Sequence, residues 1–157
     1  MMMITKDTTS SATSDRRVGP STKPIDRRPQ RILVAEDSYE MRRLIATTLE
    51  AQGYDVVEAR DGMELLDLIE ASAQHGPDER YAAVISDVRM PWLSGMDVMA
   101  ILNAASWPTP MILITAFGDD ETHAEGRDLG EIAVLDKPFE MEQLTTILAG
   151  LVAGGGM

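Results

Sequence analysis

The chain has 157 residues, a formal net charge of −12 and no cysteine, which suits one domain with a tail and excludes disulfides, thiolate catalysis and zinc–thiolate sites. No apolar run approaches the roughly 18 residues of a membrane span, and no apolar signal core follows Met1, so we expect a cytoplasmic protein without membrane insertion. The acidic body argues against direct nucleic-acid binding, because phosphate backbones require a basic surface.

The first 29 residues differ in composition from the rest. They are rich in Ser, Thr, Pro and charged residues, and six Lys and Arg stand against three Asp, a balance of +3. This composition predicts a disordered polar and basic tail. Its basic pairs could touch an acidic partner, but a solvated tail is the simpler interpretation. We place one folded domain at residues 30–152 and a flexible glycine-rich end at residues 153–157.

Beyond residue 30, short apolar runs alternate with amphipathic segments in chain order. Ser38 is placed to cap the first helix, in which Met41, Leu44, Ile45, Thr48 and Leu49 recur at helical spacing, and Gly53 is placed to end it. The predicted strands are residues 32–35, 55–59, 81–87, 111–115 and 132–135. Further helices are predicted after Asp61, after Ser94, over about residues 120–129 and over residues 140–151.

The alternation of strands and helices predicts an α/β fold. Near-continuous apolar strands are typical of a parallel sheet that helices cover on both faces, and right-handed crossovers then produce an open, doubly wound sheet. Five units suit the flavodoxin-like strand order 2-1-3-4-5, since a closed eight-unit barrel needs about 250 residues.

Polar residues follow four of the predicted strands. Glu36 and Asp37 follow the first strand, Asp87 ends the third, Thr115 ends the fourth and Lys137 follows the fifth. In the order 2-1-3-4-5 these four strands are neighbours, and ligands bind beyond the carboxyl ends of such strands. We expect these residues to converge there, with no comparable polar set at the opposite edge.

The chemistry of this set favours phosphoryl transfer onto an aspartate. Carboxylates that share a pocket repel one another unless a cation is present, and oxygen ligands without His or Cys suit Mg²⁺. Lys137 and the Thr115 hydroxyl could hold phosphate oxygens, and such transfers depend mainly on positioning and charge neutralisation. Taken singly, each residue has a simpler explanation as a helix-terminal acid, a turn residue or a strand residue, so only their convergence favours a site.

Four sequence motifs carry a family resemblance. They are ILVAEDS at residues 32–38, VISDVRMPWLSGMDV at 84–98, ILITAFGD at 112–119 and LDKPF at 135–139. Together, in this order and spacing, they resemble the receiver domain of two-component response regulators, and the resemblance covers about residues 31–150.

The resemblance implies a phosphoacceptor and a metal site. Asp87 would accept a phosphoryl group from the phosphohistidine of a sensor histidine kinase or a histidine phosphotransfer protein. Mg²⁺, or Mn²⁺, would be bound by Asp37, Asp87 and the backbone carbonyl of Arg89, with Glu36 acting through water.

The resemblance also assigns roles around that centre. Thr115 would reorient toward the acyl phosphate and Lys137 would pair with it. The Lys137–Pro138 peptide bond would be cis, a conformation found in only about 5–6% of X–Pro bonds. Arg89 and Ala116 would tune the lifetime of the phosphoryl group, since a small residue such as Ala116 leaves room for an attacking water.

One position departs from the family pattern. Receivers usually carry an aromatic residue or His three residues before the lysine, and this chain has Val134 there. A small β-branched side chain cannot perform the usual rotameric switch. A partner therefore recognises the activated surface in a different way, or phosphorylation is only weakly coupled to a change of that surface.

These observations lead to one expectation and several alternatives. We expect a stand-alone receiver that catalyses only its own phosphorylation and slow autodephosphorylation, and that signals through contacts with an unknown downstream protein. The alternatives are a phosphate sink or shuttle in a phosphorelay, a degenerate receiver that acts as a constitutive binding module, and a domain cut from a larger regulator.

Other sites on similar sheets are excluded by their missing residues. Haloacid-dehalogenase-type phosphatases need a second Asp two residues after the first, where this chain has Arg89. A glycine-rich dinucleotide turn after the first strand and a P-loop are both absent from the sequence. We expect His75 and His123 to be surface residues away from the polar edge.

Overall fold

Nine elements of regular structure follow one another along the residues that the computed structural model describes, which are 28–76, 79–116, 120, 123–124 and 133–155. In chain order they are β1 (Arg31–Ala35), α1 (Tyr39–Ala51), β2 (Asp55–Ala59), α2 (Gly62–Gln74), β3 (Ala83–Asp87), α3 (Gly95–Ala104), β4 (Met111–Ala116), β5 (Ala133–Lys137) and α4 (Met141–Gly155).

The five strands form one parallel sheet in the order β2-β1-β3-β4-β5. The predicted fold class and strand order are therefore confirmed. The register aligns the carboxyl ends of the strands, because Ala35 pairs with both Ala59 and Ser86 and Ala116 pairs with Lys137. Residues that follow β1, β3, β4 and β5 consequently meet at one edge of the sheet.

The core is divided by the sheet into two layers. Alternate side chains of a strand point to opposite faces, so Leu33 and Ala35 of β1 pack in one apolar cluster while Ile32 and Val34 pack in the other. All five residues of β3 are buried, as expected for a central strand. The strands β2 and β5 are only partly buried, because each lies at an edge of the sheet.

Local sequence signals set the helix boundaries. The side chain of Ser38 accepts a hydrogen bond from Met41 N, and that of Asp61 accepts one from Glu64 N, so each satisfies an otherwise free amide of the first turn. Ser94 makes a capping box with Asp97. Gly53 follows the first helix at φ +98°, a conformation that favours glycine.

Three sequence expectations about the helices differ from the structure or fall beyond it. Leu44 is 50% exposed, whereas Arg42 occupies the buried face of α1. The helix α4 continues to Gly155, beyond its predicted end at residue 151. Asp120 and His123 are helical, but most of the predicted helix at 120–129 and nearly all of the predicted tail at 1–29 lie outside the described residues.

The described helices are all too short or too polar to cross a bilayer.

Candidate functional site

The carboxyl ends of the strands bring three carboxylates and one lysine together. One carboxylate oxygen from each of Glu36, Asp37 and Asp87 lies within 4.8 Å of the others. Lys137 Nζ lies 3.3 Å from Asp87 Oδ2 and 3.6 Å from Glu36 Oε1. We call this group, with the buried Thr115, the carboxyl rim. The carboxylates and the lysine, from the ends of β1, β3 and β5, form one cluster in which negative charge exceeds positive charge, and Thr115 belongs to β4, which lies between β3 and β5.

Burial makes the charge imbalance costly at Glu36. This residue is 2% exposed, and burial raises its pKa from 4.5 to about 7, helped by the negative charge of Asp87 and opposed by a hydrogen bond from Ser38 N and by Lys137. Its Oε1 has no hydrogen-bond partner among the described residues. A buried carboxylate oxygen without a donor requires an explanation, and a bound cation would supply one.

The donor set fits a hard divalent cation. Glu36 and Asp87 are buried and Asp37 is exposed, so the cluster has one side open to solvent. It offers carboxylate oxygens only, the ligands preferred by Mg²⁺ and Mn²⁺. Arg89 is exposed two residues beyond Asp87, and the role of its carbonyl as a ligand remains a prediction.

The loop after β1 is fixed from behind by a buried arginine. Arg42 is 7% exposed; its Nη1 donates to the carbonyl oxygen of Glu36 at 2.9 Å and its Nε donates to Glu58 Oε1 at 3.0 Å. Arg43 binds the other oxygen of Glu58. Sequence reasoning missed Arg42, although its position three residues before Ile45 places it on the buried face of α1.

The backbone of Asp87 is held by close contacts with the start of α3. The Ser86 hydroxyl donates to the carbonyl oxygen of Asp87 at 3.0 Å. A Cβ atom on Gly95 would lie 2.5 Å from that same oxygen, so only glycine permits this approach. Val88 N donates to Ile114 O at 2.9 Å and continues the pairing with β4. The carboxylate of Asp87 therefore projects from a fixed strand end.

The remaining predicted positions surround this centre. Thr115 is 1% exposed, and Ala116, the last residue of β4, is exposed and pairs in register with Lys137. Val134 is half-buried and packs against one of the two apolar clusters. The Lys137–Pro138 peptide bond is cis, the conformation that the resemblance implies.

One histidine lies closer to this edge than expected. His123 Nε2 lies 2.8 Å from Asp136 Oδ1, and the side chains are 29% and 34% exposed. Asp136 immediately precedes Lys137 and pairs in register with Thr115. His123 is thus partly exposed and paired with a residue of β5, whereas His75 is exposed as expected. No local sequence pattern signals this pair, because its partners lie on different elements.

The opposite edge of the sheet also carries charges, contrary to expectation. Arg31 Nε lies 3.9 Å from Asp55 Oδ2, and Arg31 Nη1 lies 3.3 Å from Glu79 Oε2. The guanidinium of Arg31 also stacks over the ring of Tyr81 at 4.6 Å. We call this group the amino rim. Its acidic groups lie beside a cation, so it lacks the excess of buried negative charge found at the carboxyl rim.

Comparison with known proteins identifies a family and two curated relatives. The family model described as the response regulator receiver domain matches residues 32–149. The chain is 37% identical over 127 residues to the transcriptional regulatory protein PdtaR of Mycobacterium tuberculosis, covering 80% of this chain and 58% of that protein. It is 36% identical over 124 residues to the response regulator MprA of a Mycobacterium species, covering 79% and 51%. The chain spans about half the length of these relatives.

Solved structures show the same likeness. The receiver domain of the Francisella response regulator 1452 aligns with a TM-score of 0.71 and 31% identity, covering 79% of this chain and 97% of that one. The chemotaxis protein CheY4 of Vibrio cholerae aligns with a TM-score of 0.65 and 32% identity, covering 78% and 98%.

Proposed function

The chain belongs to the response regulator receiver domain family, and from this membership we propose that it accepts a phosphoryl group on Asp87 from a phosphohistidine of a sensor histidine kinase or a histidine phosphotransfer protein. The observation that carries the proposal is the contact of Lys137 Nζ with Asp87 Oδ2 at 3.3 Å inside a cluster of three carboxylates. This cluster has the nucleophile, a cation for phosphate oxygens and oxygen ligands for a metal.

The transfer exchanges one bond for another. A carboxylate oxygen of Asp87 forms a bond to phosphorus, and the phosphorus–nitrogen bond of the donor histidine breaks, leaving its electron pair on the imidazole nitrogen. Such reactions depend on alignment and charge neutralisation more than on covalent chemistry by the protein. The fixed end of β3 supplies the alignment, because Ser86 and Gly95 hold the backbone of Asp87.

Two side chains would stabilise the transferred group. Lys137, already beside Asp87, would pair its ammonium with the phosphoryl oxygens, and the Thr115 hydroxyl would donate to one of them. Mg²⁺, held by Asp37 and Asp87 with Glu36 behind them, would neutralise charge on the phosphoryl oxygens. The exposed Ala116 beside this centre leaves space for water, so the phosphoryl group would be lost slowly by hydrolysis.

The output of the phosphorylated form is a second part of the proposal. We propose that phosphorylation biases the carboxyl rim between two arrangements and so changes affinity for a downstream protein. The curated relatives are named as regulators, and this chain spans about half their length.

The proposed function also requires a location in the cytoplasm, because ATP-dependent kinases produce phosphohistidine there.

A second candidate is favoured by Val134. This residue is half-buried where an aromatic switch is usual in the family, so phosphorylation could proceed with little change in partner affinity. The protein would then act as a phosphate sink or shuttle, or as a constitutive binding module. A phosphate sink would still receive the phosphoryl group on Asp87, whereas a constitutive binding module would bind its partner without phosphorylation.

The test uses a phosphodonor that needs no partner. Wild type is incubated with phosphoramidate and Mg²⁺, and intact mass is expected to rise by one phosphoryl group, while Asp87→Asn shows no rise. Asp55→Asn, at the amino rim, is the matched control and should behave as wild type. Absence of phosphorylation in wild type would contradict the proposal, and an unchanged affinity for every partner after phosphorylation would favour the sink.

A further inference from the structure

The most exposed large apolar side chain among the described residues belongs to a strained turn. Trp92 is 87% exposed and has φ +71°. Leu93 N donates to Pro91 O at 2.8 Å, which closes a three-residue turn with Trp92 at its centre. A positive φ in such a turn matches the γ-turn that is rare and strained. A bulky residue is unfavourable here, whereas glycine would adopt this backbone readily.

The loop that carries Trp92 is fastened to the fold at two places. Gly95 N donates to Val88 O at 3.0 Å and closes the loop on itself. The carbonyl oxygen of Leu93 lies against the start of α2, where a Cβ atom on Gly62 would be only 1.8 Å away. The indole is therefore presented from a fixed backbone.

A second exposed apolar side chain belongs to the helix that this loop touches. Met63 follows Gly62 directly and is 49% exposed. Because Gly62 touches Leu93, the first turn of α2, which carries Met63, adjoins the loop that carries Trp92. We call these two side chains the Trp92–Met63 patch. Neither contributes to the two apolar core layers as a buried member, so the stability of the fold does not account for the patch.

The position of the patch relative to Asp87 limits what can cover it. Trp92 lies five positions after Asp87, which bounds the distance between their Cα atoms at about 17 Å even for an extended chain. A standard protein interface covers about 800 Å² per partner, equivalent to a disc of about 16 Å radius. Asp87 is only 6% exposed, so a protein that reaches its carboxylate must press against the rim. Because Gly95 N bonds to Val88 O and folds this loop back, Trp92 lies closer to Asp87 than that bound, within the area that such a protein would cover.

We propose that the Trp92–Met63 patch is the apolar contact through which a phosphohistidine-bearing protein docks for transfer to Asp87. The inference rests on the proposed function of Asp87. The partner chemistry is an apolar surface beside the phosphohistidine, since tryptophan is enriched among the few residues that carry most of the binding energy of an interface. Small phosphodonors reach Asp87 without using the patch.

The test compares a protein donor with a small donor. The catalytic cores of the histidine kinases of the source organism are autophosphorylated with ATP and offered one at a time to wild type, and the fastest donor is the probe. Trp92→Ala is expected to slow transfer from this kinase by about tenfold or more, and Met63→Ala by a smaller factor. Transfer from phosphoramidate should stay within about twofold of wild type, since neither side chain belongs to the carboxyl rim.

Three further variants separate the side chain from the backbone. Trp92→Gly relieves the positive φ and should slow kinase transfer as much as Trp92→Ala, whereas Trp92→Phe should restore most of the rate. Ile101→Ala removes a 43% exposed apolar side chain from the outer face of α3 and should change neither reaction. Unchanged kinase transfer in Trp92→Ala, or failure of every kinase while phosphoramidate works, would overturn the docking inference. Failure of phosphoramidate on wild type would instead overturn the proposed function.

Discussion

The two rims of the sheet show two ways of placing charge at the ends of parallel strands. At the amino rim, Arg31 lies 3.9 Å from Asp55 and 3.3 Å from Glu79, whose side chains are 57% and 51% exposed. At the carboxyl rim, one lysine faces three carboxylates, and Glu36 and Asp87 are almost fully buried.

The difference separates exposed acids paired with a cation from buried carboxylates that outnumber their cation. Exposed ion pairs such as those of Arg31 contribute little to stability and are self-sufficient. Buried carboxylates in excess of their cations oppose folding of the metal-free protein, and a perturbed group of this kind marks a functional site. Each variant below tests whether the two rims really differ in this way.

Removal of the lysine should have the largest effect on chemistry. Lys137→Met eliminates the cation that lies beside both Asp87 and Glu36. Loss of one preorganised stabilising group typically slows a reaction by about 100- to 1000-fold, and we expect this loss in the rate of phosphorylation by phosphoramidate. The matched change at the amino rim, Arg31→Met, should leave the rate of phosphorylation unaltered. If both substitutions slowed phosphorylation equally, the two rims would not differ in their contribution to the reaction.

The pH dependence of stability should reveal the buried acid. The pKa of Glu36 is raised from 4.5 to about 7 in the folded protein, so between these values the folded state holds a proton that the unfolded chain releases. The free energy of unfolding without metal should therefore fall as pH rises through this window, by up to about 3 kcal/mol. Urea denaturation in EDTA at pH 5 and pH 7.5 measures the fall.

Two comparisons assign that pH dependence to Glu36. Glu36→Gln should remove most of the fall, whereas Glu79→Gln at the amino rim should retain it. Mg²⁺ should stabilise wild type more at pH 7.5 than at pH 5, because metal binding requires ionised carboxylates. A metal-free stability that rises with pH, and that Glu36→Gln leaves unchanged, would show that the acid is not buried in the protonated form.

The arginine behind the carboxyl rim should contribute to stability. Arg42→Met removes the hydrogen bond to the carbonyl oxygen of Glu36 and the contact with Glu58, which then keeps only Arg43. Because Arg42 is 7% exposed and Glu58 is partly exposed, we expect a loss of about 2 kcal/mol. Urea denaturation tests this value, and a loss no greater than that of Arg31→Met would mean that the buried network is dispensable.

The smallest effect should come from the amino rim itself. Arg31→Met breaks two ion pairs with exposed acids, the hydrogen bond to the carbonyl oxygen of Glu79 and the contact with the ring of Tyr81. Exposed pairs of this kind are worth less than about 1 kcal/mol, and added salt should shrink the effect further. If the free energy of unfolding fell by several kcal/mol and the fall did not depend on salt, the ion pairs of the amino rim would behave as buried ones.

Local patterns sufficed for the sheet and for the residues of the carboxyl rim. Apolar runs marked the strands, and their order along one sheet was enough to bring Glu36, Asp87 and Lys137 to the same edge. Topology places the ends of parallel strands together whatever the side chains between them. Residues at strand ends are therefore predictable from a sequence once the strand order is inferred.

Contacts made between elements were not predictable in the same way. The pairs Arg42–Glu58 and His123–Asp136 depend on how helices lie on the sheet, and sequence periodicity alone does not specify such pairings. Helical spacing selected Leu44 for the buried face, although the face is rotated toward Arg42. The positive φ of Trp92 carries no signal either, because the residues that normally mark such a backbone are Gly and Asn.

The order of the strands also dictates when the carboxyl rim can exist during protein synthesis. Glu36 follows β1 and Asp87 ends β3, whereas Lys137 ends β5, the last strand of this sheet to be synthesised and one of its edges. A nascent chain that has already folded β1 to β4 would still lack the cation beside Asp87. The carboxyl rim is therefore complete only once the final strand of this sheet has been added.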